Sequence, residues 1–168
     1  FLYVGRINVN KGLSIMAKAL IKIIETYPNI IFLIVGPDED NFSSQINFLF
    51  LNKPDNLRIL PFTDNPEHYM QASDIFCLLS NKEGFGSAVI EAAACGLPTI
   101  GSDIYGLQDS IDRDKTGYLI DRNNHKKLIS IIQEIINNPE KLSQLSNAAI
   151  NYANENFHQD KVTNKLVK

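Results

Sequence analysis

Apolar positions along this chain follow two alternating rhythms. Ile30 to Val35 reads IIFLIV with no polar interruption and ends at Gly36-Pro37. A strand covered on both faces has this unbroken pattern, and such strands belong to parallel sheets flanked by helices. Phe1 to Val4 and Ile75 to Leu79 are shorter runs of the same kind, and Leu57 to Leu60, Pro98 to Gly101 and Thr116 to Ile120 read as further strands. Between them the spacing becomes helical. Lys11 to Tyr27 carries Leu13, Met16, Ala17, Leu20 and Ile24 on one face, and Pro28 stops it. Phe42 to Leu51, Pro66 to Ala72, Ser87 to Cys95, Asn124 to Asn137 and Pro139 to Asn156 read as further helices.

Strand and helix alternate from end to end, with no repeat and no low-complexity linker. This predicts an α/β domain: a doubly wound parallel sheet of about six strands with helices on both faces. In such sheets ligands bind beyond the carboxyl ends of the strands. Function is therefore expected in the loops after Val4, Val35, Leu60, Leu79 and Ile100.

Composition narrows the classes. The 168 residues suffice for one domain with one core, and 44% hydrophobic with 21% charged residues is ordinary globular usage. The net charge of −3, with no basic excess, argues against a nucleic-acid surface of the usual electrostatic kind and leaves room for a local basic cluster. No run approaches the ~18 apolar residues of a membrane span. FLYVG lacks a charged leader and a cleavage site, and it starts as if inside a strand without an initiator Met, so the chain reads as part of a longer protein. Cys77 and Cys95 have no metal-ligand spacing and read as reduced, buried thiols of a cytoplasmic protein. His68, His125 and His158 form no metal or triad pattern.

Two loops carry candidate chemistry. The first is Gly5-Arg6-Ile7-Asn8-Val9-Asn10-Lys11-Gly12, in which glycines let the backbone approach a ligand and two cations bracket the entry to a helix. The fork of Arg6 and the point charge of Lys11 both suit phosphate oxygens, and the helix N-terminus adds partial positive charge. A surface turn with two solvated cations reads the same way. The second loop, Glu83-Gly84-Phe85-Gly86-Ser87, leads into a helix containing Glu91. A glycine turn between strand and helix is again an anion-binding arrangement. Glu83 and Glu91 either meet sugar or ribose hydroxyls or stay solvated at the helix edge, since burying a carboxylate alone is costly. The stretch Gly101-Ser102-Asp103 with Tyr105-Gly106-Leu107 is a weaker signal.

Two patterns mislead. Asp38-Glu39-Asp40 has the form of a metal-binding DxD, but it precedes a helix, where acids favour the N-terminus. Gly84-Phe85-Gly86 opens like a dinucleotide fingerprint, yet Val89 stands where the third glycine belongs, and the turn follows the fourth strand instead of the first.

Taken together, the stretches VGRINVNKG, FLIVG, ASDIFCLLS, EGFGSAVIEAAACGLPTIGSD, GLQDSI and TGYLI resemble the C-terminal domain of retaining glycosyltransferases of family 4. The resemblance runs from Phe1 to about Phe157, and Glu83 and Glu91 have that family's E-x7-E spacing. Ile7 and Ser87 depart from its usual residues, and Ser87 leaves the fit of the donor sugar open.

The resemblance implies a Rossmann-like sheet that is one half of a GT-B fold. It implies a donor-binding domain over residues 1–157, with 158–168 as a tail frayed or crossing toward an N-terminal acceptor domain outside this chain. It implies transfer of a sugar from a nucleoside diphosphate sugar, such as a UDP- or GDP-sugar, to a hydroxyl acceptor with retention. No metal or other cofactor is implied. Arg6 and Lys11 would hold the diphosphate in place of a metal, and Glu83 would lie by the donor sugar. The Gly5 turn and the backbone of Gly84, Phe85, Gly86 and Ser87 would approach the donor, Glu91 would bind ribose and Leu60 the base. On this reading the chain alone is inactive. Membrane association would be peripheral and belong to the longer protein, at the inner face of the membrane, and polysaccharide assembly is the family's habit. The alternatives are a non-catalytic nucleotide-sugar-binding module and a sugar-nucleotide epimerase of related architecture.

Overall fold

The computed structural model describes residues 1–157. The expected tail, 158–168, and His158 lie outside the described residues. Six strands form the sheet: β1 (Leu2–Val4), β2 (Phe32–Val35), β3 (Leu57–Leu60), β4 (Phe76–Leu78), β5 (Thr99–Ser102) and β6 (Gly117–Ile120). Every strand pairing is parallel, in the order β3-β2-β1-β4-β5-β6. The chain winds outward from β1 to β3, returns to place β4 against the other side of β1, and winds away through β5 to β6. The β1–β4 seam is thus the point where the winding reverses, and the crevice of a doubly wound sheet opens there.

Among the described residues seven α-helices cover the sheet: α1 (Leu13–Ile24), α2 (Phe42–Leu49), α3 (Pro66–Gln71), α4 (Ser87–Ala94), α5 (Tyr105–Gln108), α6 (His125–Asn137) and α7 (Pro139–Phe157). α1 packs with α2 and α6, while α4 packs with α3 and α7, so both faces are covered. The unbroken apolar strands become the core between the layers: Leu2, Phe32, Ile34, Phe76 and Ile100 are fully buried. Among the described residues no helix is long and apolar enough to cross a membrane.

Three local features differ from expectation. The helix expected from Lys11 begins as a 3-10 turn, Val9–Lys11, and restarts as α1 after Gly12, whose left-handed φ of 71° breaks the run. β2 starts at Phe32, two residues into the apolar run, and Ile31 before it is exposed. Of the two thiols, Cys77 is buried and burial pushes it up to about 12, whereas Cys95 is only half-buried.

Candidate functional site

The loops after β1 and β4 meet over the seam. They line one cleft of about 400 Å³, whose walls include Tyr3, Gly5, Arg6, Lys11, Glu83, Gly84, Phe85, Gly86, Ser87 and Ala88. A larger hollow of about 500 Å³ opens at the opposite end of the sheet, between Phe1, Leu33, Ile136 and Leu142. The one cationic side chain among its lining residues, Arg58, is tied to the carbonyls of Pro54, Asp55 and Leu57. The smaller cleft has the convergent charges and a helix start, and those decide in its favour over size.

At the centre of the cleft Lys11 Nζ donates to Glu83 Oε1 at 2.7 Å, and Ser80 Oγ donates to the same oxygen at 2.6 Å. Both charged side chains are mostly covered, at 18% and 15% exposure, so their attraction is screened far less than that of a surface pair. Ser80 is itself held: its carbonyl accepts from the buried Ser102 hydroxyl at 2.8 Å. The β1 loop reaches this position because it runs hard against the end of β4. A Cβ on Gly12 would stand 2.0 Å from the Leu79 carbonyl oxygen, and the Asn81 amide donates to Asn10 O at 2.8 Å.

Arg6 points into solvent at 66% side-chain exposure and pairs with Glu39 at 3.1 Å. Beneath it the buried Tyr3 hydroxyl donates to the Arg6 carbonyl at 2.6 Å, and burial raises that phenol above its ordinary range. Across the cleft, α4 starts from Gly86 without a side-chain cap, and Ser87 and Ala88 of its first turn face the cavity. An uncapped helix start offers free N–H groups to an anion.

The structure therefore brings Gly5, Arg6, Lys11 and Glu83 to Ser87 into one place. It does not bring Glu91 or Leu60 there. Glu91 is exposed on α4, one helical turn before Cys95, with no ion pair among the described residues. Leu60 ends β3, its carbonyl accepting from Gly36 N–H at 3.1 Å. Of the Asp38-Glu39-Asp40 triplet, only Asp38 does what the helix-start reading expects, accepting from the Ser43 amide.

Sequence reasoning missed the support under the glycine turn. It comes from α5 and the residues after it. Gly106 packs so closely that a Cβ there would lie 2.1 Å from Glu83 O. Ser110, buried, donates to Phe85 O at 2.9 Å. The Asp103 carboxylate anchors this segment, accepting from Arg113 at 2.6 Å and from Gln108 at 3.2 Å, while Arg113 also donates to Leu119 O. The stretches Gly101-Ser102-Asp103 and GLQDSI point to this segment, but nothing in them shows which residues they contact.

The bonds from Arg113 and Gln108 hold the Asp103 carboxyl below its ordinary range. Its contribution to stability is thus complete above the ordinary aspartate range and lost as pH falls through the depressed folded value. Both partners are more than a third exposed, so the contribution is under ~1 kcal/mol. Asp103→Asn should lower the melting temperature slightly at neutral pH and flatten its decline in acid. Melting curves of both proteins between neutral and strongly acid pH check this; parallel curves would refute it.

Comparison with known proteins gives a consistent picture. The family model described as glycosyl transferases group 1 matches residues 1–152. An uncharacterized glycosyltransferase of Haemophilus influenzae is 30% identical over 146 residues, covering 86% of this chain and 41% of its own length. The capsular polysaccharide biosynthesis glycosyltransferase CapM of Staphylococcus aureus is 27% identical over 136 residues, covering 80% of this chain and 36% of its own. Among solved structures, Anabaena Alr3699/HepE in complex with UDP superposes with a TM-score of 0.89 at 20% identity, over 99% of this chain and 47% of that one. That last likeness is one of fold. The chain spans less than half of the length of the curated relatives it matches.

Proposed function

We propose, from the premise that this chain belongs to the group 1 glycosyl transferases, that its β1–β4 cleft holds the donor of a sugar transfer, a nucleoside diphosphate sugar. The convergence of Arg6, Lys11, Glu83 and the uncapped start of α4 on one cleft carries the reading. Two cations and a helix N-terminus suit a diphosphate, and preorganised positive charge stabilises the leaving group as its bond to the sugar breaks. Arg6 and Lys11 do the work a metal ion does elsewhere. Glu83 meets donor sugar hydroxyls, and the backbone of Gly5 and of Gly84 to Ser87 lies against the donor; a donor extending beyond the cleft brings its ribose to Glu91 and its base to Leu60. The UDP in the Anabaena structure, the same fold, agrees with a nucleotide ligand.

The anomeric carbon loses its bond to the diphosphate oxygen and gains one to the acceptor oxygen, whose proton passes to the leaving phosphate. The reaction retains configuration. This chain binds the donor; residues of the longer protein bind the acceptor, and transfer needs both.

Calorimetric titration with UDP, GDP and their sugars in EDTA tests this. One nucleotide should bind without metal. A folded protein that binds neither, or binds only when a divalent ion is added, contradicts the proposal.

A further inference from the structure

Glu39 belongs to none of the roles given so far, yet both its carboxylate oxygens are engaged across loops. Oε1 accepts from Arg6 at 3.1 Å and Oε2 from Asn8 Nδ2 at 2.7 Å. The segment that carries it is stitched to the β1 loop by its backbone: Ile7 N–H donates to Pro37 O at 2.8 Å and Glu39 N–H to Ile7 O at 2.9 Å. Directly after it, Asp40 and Asn41 both take left-handed backbone, with φ of 59° and 54°. Non-glycine residues adopt this region uncommonly, and two in succession turn the chain sharply enough to separate Glu39 from the start of α2.

Asn8 passes the constraint onward. With its amide nitrogen held by Glu39, its oxygen faces the other way and accepts from Asn10 N–H at 3.0 Å, capping the 3-10 turn Val9–Lys11. That turn ends on Lys11, whose ammonium reaches Glu83. One carboxylate thus touches Arg6 directly and fixes the launching point of Lys11 through a single amide.

We propose that Glu39 is a positioning residue of the donor cleft, setting the aim of Lys11 through the Glu39–Asn8 hydrogen bond; this rests on reading the cleft as a diphosphate site. Electrostatics alone argues the other way. A carboxylate beside a phosphate-binding cation lowers the local positive potential, so on charge alone its removal strengthens anion binding. The two roles therefore predict opposite signs. Glu39→Ala loses both the charge and the bond to Asn8, whereas Glu39→Gln loses the charge and keeps an acceptor for that bond.

The experiment is calorimetric titration with UDP, or with GDP if the wild type takes that nucleotide, with melting curves beside it. Glu39→Ala should bind about tenfold more weakly, Asn8→Ala should match it, and the double variant should be no worse than either, because both remove one link. Glu39→Gln should stay within about twofold of wild type. Glu39→Ala at or above wild-type affinity, additive losses, or a Glu39→Gln loss equal to that of Glu39→Ala would each overturn the role of Glu39 while leaving the donor site standing. A wild type that binds no nucleotide removes the donor site itself, and this role with it.

Discussion

Lys11→Ala should leave the domain folded and remove most of its affinity for a nucleoside diphosphate. A hydrogen-bonded charge of this kind is worth about 1.5–3 kcal/mol, which corresponds to roughly 10- to 150-fold in Kd. The expected loss lies toward the upper end. Lys11 is well covered, and its place is fixed by Glu83 and by the contact of Gly12 with Leu79, so it meets the ligand already ordered. An ammonium has three donors and can serve Glu83 and a phosphate together. The stability cost should be small by comparison. Glu83 keeps the Ser80 hydroxyl, and at 15% exposure water can replace the missing donor. Lys11→Met separates charge from packing, since it retains the apolar stem. Titration of UDP or GDP against wild type and both variants, with melting curves alongside, checks the separation. Wild-type affinity in either variant would remove Lys11 from the donor site. A collapse of melting temperature in Lys11→Met would make the ion pair structural.

How much of the fold and the cleft was readable in the sequence depended on the range of the interaction. β2 and β4 were legible because burial on both faces leaves an unbroken apolar run, and β1, β2 and β3 because glycine or proline follows at once. The meeting of the two loops was legible from the alternation, which places both at the carboxyl ends of strands in a doubly wound sheet. What failed to show were contacts between segments distant in the chain. α5 is a single turn and has no room for an apolar stripe. The bond from Ser110 to Phe85 spans 25 positions. Glu39 looked like a helix-start acid because the triplet precedes a helix; Asp38 does accept from the Ser43 amide, whereas Glu39 reaches back to Arg6 and Asn8. For Glu91 the pattern offered crevice or helix edge, and the structure leaves it exposed on α4.

Gly106→Ala should damage both the fold and the cleft, and Gly84→Ala only the cleft. Gly106 has no left-handed backbone to account for it, so the entire effect is steric. The new methyl would lie 2.1 Å from Glu83 O and 3.1 Å from Gly84 O, both backbone atoms that cannot rotate away. Either α5 lifts off or the Glu83–Gly86 turn moves, and the second choice also strains the Ser110–Phe85 bond and shifts the partner of Lys11. Overpacking of this kind costs about 2–3 kcal/mol, roughly 4–12 °C in melting temperature for a domain of this size. Gly84 sits on the same turn with nothing within 4 Å of the position a Cβ would take. Its alanine variant should melt within about 2 °C of wild type. Yet that methyl would occupy the wall of the cleft, so a donor lying against the turn should bind it at least about tenfold more weakly than wild type, by displacement instead of unfolding. Melting curves and nucleotide-sugar titrations of the two variants distinguish the roles of one turn. If Gly106→Ala melts like wild type, α5 is not the support of the turn; if Gly84→Ala binds the nucleotide sugar as wild type does, the donor does not lie where the cleft suggests.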